Sequence, residues 1–121
     1  MPTHQHTPTV NDDDVERVVR RDFTPEHVSE ILRMLAEYGT KEYEREAPRV
    51  RLAALKEARG DLERLRQQVS WAKMDYRDVL SAAEYPQASR KWGRIKKMTD
   101  EEQQKIYDAD FRQYEEWLTR T

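Results

Sequence analysis

Cysteine is absent from the 121 residues. Disulfides and thiolate metal sites are therefore excluded, and a reducing, cytoplasmic setting is the simplest expectation. No apolar run approaches the roughly 20 residues needed to span a bilayer, so no membrane partner is expected. The opening stretch MPTHQHTPTVNDDD has no apolar segment, so no secretory signal is expected there either. An excess of one charge is lacking too. Lys and Arg number 22 against 24 Asp and Glu, for a net charge of −2. Such balance gives no global pull toward nucleic acid or anionic lipid. Hydrophobic residues are few, at 36%. The core must then be thin and shared by two or three helices, a composition also compatible with completion by a second copy.

What is present is charge, 38% of the chain, laid out with helical periodicity. That combination reads as amphipathic helices and not as disorder. The expected fold is all-α: a four- or five-helix bundle around one long central helix. A flexible tail is expected over 1–10 and a single helical domain over 11–121. His4 and His6 in the tail are too few ligands for a metal site.

Asn11 to Asp14 precede Val15, Val18 and Val19, an acidic start suited to a helix N-terminus over 12–21. Thr24, Pro25 and Glu26 signal the next start. Val28, Ile31, Leu32, Leu35 and Tyr38 then share one helical face, and Gly39 is the stop. The segment 41–47, KEYEREA, is helix-prone. Pro48 after it either opens a helix or kinks a continuous one, and a bend is favoured. Val50, Leu52, Ala53, Leu55 and Ala58 form the following apolar side. Gly60-Asp61 leaves so short a link that a helical hairpin is expected there.

The clearest pattern covers 62–84. Leu62, Leu65, Val69, Ala72, Tyr76, Val79 and Ala83 alternate steps of three and four, a heptad seam with no Gly or Pro inside it. Leu80 widens the seam. Residues 85–98 lack periodicity and read as a connection that can hold one helical turn. Thr99 with Glu102 is a capping box that opens a last helix over 100–119, with Tyr107, Phe111, Tyr114 and Leu118 on one stripe.

No residue pattern assigns catalysis. Ser29, Ser70, Ser81 and Ser89 lack the nucleophile-elbow context, and His27, in a first helical turn, lacks a positioned partner. Asp75 and Asp78 share a helix face that Glu42, Glu44 and Glu46 could oppose, which is the basis of a metal–carboxylate enzyme. Helical di-metal centres draw on Glu-x-x-His pairs, and this chain has none, so no metal or other cofactor is assigned. Surface ion pairs with Lys73 and Arg77 are the plainer reading.

Two surfaces remain. Trp71, Met74, Asp75 and Asp78 lie off the seam. A Trp and a Met there are either covered by this chain or form a partner-binding face, since aromatic and Met residues are enriched at interface centres. Arg90, Lys91, Arg94, Lys96 and Lys97 flank Trp92, a basic run with an aromatic that can hold a phosphate backbone and stack a base. The leading expectation is thus a non-enzymatic protein–protein interaction module, with a homodimer as one form. Nucleic-acid binding through 90–97 is the alternative, and the metal–carboxylate enzyme is third.

Overall fold

The computed structural model describes residues 6–121. Among them lie seven α-helices and one 3-10 turn, and no strand. The chain is all-α and is built around its longest helix. Helix α1 (Asp12–Asp22) opens with a reciprocal cap. Asn11 Oδ1 accepts from the Asp14 N–H at 3.1 Å, and Asp14 Oδ2 accepts from the Asn11 N–H at 3.1 Å. A 3-10 turn at Pro25–His27 leads into α2 (Val28–Leu35). Gly39 ends this segment at φ +106°, and a Cβ there would meet Ala47 Cβ and Arg51 Nη2 at 2.9 Å. Glycine is required both by the backbone angle and by the space.

The helix-prone segment that follows is not helical over 41–46. Glu44 is buried, and its Oε1 accepts from the N–H groups of Gly39 (3.2 Å), Thr40 (3.0 Å) and Lys41 (3.1 Å), and from Thr40 Oγ1. Tyr38 Oη donates to the Arg45 carbonyl at 2.7 Å. One carboxylate thus organises a turn that overrides local propensity. Glu46 then adopts a left-handed conformation, φ 57°, ψ 44°. Helix α3 (Ala47–Ala58) starts afresh with Pro48 in its first turn. The favoured bend at Pro48 is therefore a new helix start, where the missing N–H has no acceptor to lose.

The hairpin at Gly60-Asp61 is present. Arg59 and Gly60 are both left-handed, at φ 52° and 77°, and Asp61 caps α4 (Leu62–Glu84) by accepting from the Arg64 N–H at 2.9 Å. Helices α3 and α4 make the most extensive contact in the fold. Leu65, Val69, Ala72, Val79 and Ala83 of the seam are buried, and Leu62 and Tyr76 pack at its margin. The backbone beneath the seam is not continuous. Asp75 is extended, φ −155°, ψ 99°, so α4 is two helical stretches joined across a kink. Asp75 Oδ1 accepts from the Arg77 N–H at 3.0 Å, the bond an N-cap makes at a helix start.

The connection after α4 holds two short helices, α5 (Pro86–Arg90) and α6 (Trp92–Ile95), before α7 (Asp100–Thr119). Asp110, fully buried on α7, accepts from the Gln87 and Ala88 N–H groups at 3.0 Å each, which caps α5 from outside. Ala88, Ile95, Ile106 and Tyr107 form a small second core beside the main one. The predicted box at Thr99 and Glu102 opens α7.

Arginines close two further helix ends. Arg51 donates to the Leu35 and Tyr38 carbonyls after α2, and Arg21 to the Trp117 and Arg120 carbonyls at the end of α7. Arg49 Nε and Nη2 clamp the buried Glu84 carboxylate at 2.7 and 2.6 Å, joining the start of α3 to the end of α4. Beside this pair the buried Tyr114 hydroxyl has no hydrogen-bond partner among the described residues, and burial pushes its phenol well above the ordinary 10.

Of the expected tail, His4 lies outside the described residues. His6 Nε2 sits 2.7 Å from Asp108 Oδ1, its ring lies 4.6 Å from Phe111, and Tyr85 Oη donates to its carbonyl at 3.0 Å. Val10 packs on the main core. No helix among the described residues is long and apolar enough to cross a membrane.

Candidate interaction surface

The side of α4 away from the seam is open. Trp71 is 53% and Met74 84% exposed. Both line a groove of about 580 Å³ with Glu57 of α3 and Asp75, Asp78 and Ala82 of α4. All four partner-face residues expected from the sequence are therefore brought together. Three carboxylates and no cation line this groove. Asp75 is met by Arg77, whose Nε and Nη2 donate at 3.1 and 3.3 Å. Those side-chain bonds, then the Arg77 N–H, hold the Asp75 carboxyl below its ordinary 3.8. Glu57 and Asp78 form no ion pair among the described residues.

The break in α4 sits inside this surface. Met74 immediately precedes it and is the most exposed large apolar side chain described. A smaller cavity of about 280 Å³ borders the same break and is lined by Tyr43, Glu44, Met74 and Arg77. Tyr43 is 62% exposed. Exposed apolar groups thus extend from Trp71 through Met74 to Tyr43. Sequence reading missed Tyr43 because it placed 41–47 on a helix. The signal was the acid-rich turn chemistry behind Gly39, where a carboxylate can bind successive N–H groups.

The opposing carboxylates do not complete a metal centre. Glu44 is committed to its turn. Burial pushes its carboxyl up, but the Gly39, Lys41 and Thr40 N–H groups together outweigh this and hold it below 4.5. No group of three or more His, Asp or Glu side chains among the described residues could hold a metal ion.

The basic segment lies on α5 and α6. Trp92 is 54% exposed, with Lys96 Nζ 5.4 Å from its ring centroid. Ile95 anchors α6 in the small core. Arg90 donates to the Pro86 carbonyl of its own helix at 3.2 Å. Arg90, Lys91, Arg94, Lys96 and Lys97 make no ion pair among the described residues. No residue of this strip lines the Trp71 groove. The third tryptophan, Trp117, is 9% exposed and packs between Tyr114 and Arg21.

Comparison with known proteins gives no match: no family model, no curated protein and no solved structure is significantly similar to this chain.

Proposed function

We propose that the protein is a non-enzymatic, cytoplasmic interaction module that docks a protein segment in the groove at Trp71 and Met74. One observation carries this reading: a Trp and a Met stand open to solvent on the central helix, in a groove whose charged rim is wholly acidic. Covering such side chains returns roughly 1.5–3 kcal/mol each, enough to make them binding anchors. The carboxylates then select a partner segment with cations beside an apolar group, because a like-charged segment would be repelled.

The test is a photo-crosslinking amino acid at Met74 in cells. A discrete crosslinked product that disappears with Trp71→Glu is expected. Products that persist unchanged with Trp71→Glu would contradict the groove.

Nucleic-acid binding by the strip at 90–97 is a second reading, favoured by five cations that form no ion pair among the described residues and flank a half-exposed Trp92. Fluorescence anisotropy of a labelled single-stranded oligonucleotide checks it. Binding that weakens steeply with salt and falls with Trp92→Ala supports it, and no binding at low salt ends it.

A further inference from the structure

We infer that the Trp71 groove takes the 90–97 strip of a second copy of this chain, so that copies join head to tail. This rests on the groove being a docking site, and it names the occupant.

Each surface supplies what the other lacks. The groove offers exposed Trp71 and Met74 with Glu57, Asp75 and Asp78 and no cation. The strip offers exposed Trp92 with five cations that have no acidic partner among the described residues. Within one chain the strip lines no part of the groove, so their meeting requires another copy. Inserting Trp92 would stack aromatic and thioether groups and bring Lys96, already held over the indole, beside the carboxylates.

Charge also decides between symmetric and head-to-tail pairing. Groove on groove would crowd Glu57 and Asp78 of each copy, which no Arg77 neutralises as it does Asp75, and strip on strip five cations from each. Both juxtapositions are repulsive at short range. Groove on strip pairs opposite signs, and the net charge of −2 adds little repulsion between whole molecules. A contact between two different surfaces leaves one groove and one strip free on the resulting dimer. Assembly therefore continues into open chains or closes into a ring.

The test is sedimentation velocity of the full chain over a concentration series at about 50 mM and about 0.5 M salt. The samples are wild type, Trp71→Glu, Trp92→Glu and an equimolar mixture of the two variants. Circular dichroism confirms that each variant is folded. The wild type is expected to grow beyond the dimer with concentration and to shrink at high salt. Each variant alone should self-associate at least about tenfold more weakly. The mixture should form a dimer and stop there, because one copy retains only its strip and the other only its groove.

Charge exchange gives an independent check. Asp78→Lys and Lys96→Glu should each weaken assembly alone and pair with each other when mixed. Self-association abolished by Trp71→Glu but untouched by Trp92→Glu would overturn the head-to-tail contact and leave the groove as a symmetric interface. A wild type that stays monomeric throughout, or whose oligomers dissolve on nuclease treatment, would overturn the second copy as occupant. The groove itself then stands or falls by the crosslink at Met74.

Discussion

Trp71 and Trp92 are almost equally exposed, at 53% and 54%, yet they stand in opposite surroundings. Trp71 has carboxylates around it and rises from α4, whose other side is buried along the seam. Trp92 has cations around it and rises from the four-residue α6, anchored by Ile95 in the small second core. Under the head-to-tail proposal, the difference makes one surface the receptor and the other the ligand. The groove, backed by the main core though crossed by the break at Asp75, is expected to change shape less than a short basic helix on a small core. Exposure alone marks both as unusual, and charge and support assign them different parts.

The largest effect expected from disturbing this division lies where the main body is clamped. Glu84→Ala leaves the Arg49 guanidinium without its carboxylate in a largely buried place. It should lower unfolding free energy by about 3–5 kcal/mol in urea titration. A loss below about 1 kcal/mol would show that the pair does not hold α3 to α4.

Asp110→Asn probes the other side. An amide has one acceptor oxygen for the two N–H groups that the carboxylate now satisfies. About 1–3 kcal/mol should be lost, and hydrogen exchange should accelerate over 86–98 well before it does in α3 and α4. Uniform acceleration would erase the distinction between a firm groove and a soft strip.

Acid provides a milder probe of the groove's edge at Tyr43. Folding lowers the Glu44 carboxyl below its ordinary 4.5, so its stabilising contribution is complete above 4.5. That contribution is lost as pH falls through the lower folded value. Amide shifts of Gly39, Thr40 and Lys41 should therefore move together with a midpoint below 4.5, and Glu44→Gln should abolish the transition. A midpoint at or above 4.5 would contradict the carboxylate-centred turn.

The smallest effect is expected at the tryptophans themselves. Trp71→Glu and Trp92→Glu should each change monomer stability by no more than about 0.5 kcal/mol in dilute solution, since both rings are already half in water. A larger loss at Trp92 would make that ring part of the small core and not a free surface.

Much of this molecule is legible from local pattern. The seam from Leu65 to Ala83, the stop at Gly39, the hairpin at Gly60-Asp61 and the box at Thr99 and Glu102 each depend on residues within a few positions of one another. What escapes the pattern is set by side chains that act against propensity or across distance. Glu44 turns a helix-forming stretch into a loop by binding three N–H groups. Asp75 breaks α4 without any Gly or Pro by behaving as a cap in mid-helix. Arg21, Arg51 and Asp110 close helix ends that lie far along the chain. The site divides the same way. Trp71 and Met74 stand out because they fall off the seam, whereas Tyr43 joins them only once the turn around Glu44 is known.

The most direct test is the oxidation rate of Met74 under hydroxyl-radical footprinting as protein concentration rises. Met74 is 84% exposed in the single chain, so it should oxidise rapidly when dilute. If the groove is covered by another copy, protection should grow with concentration in the wild type and vanish in Trp92→Glu. A rate that stays the same at every concentration, with wild type and Trp92→Glu alike, would contradict the account.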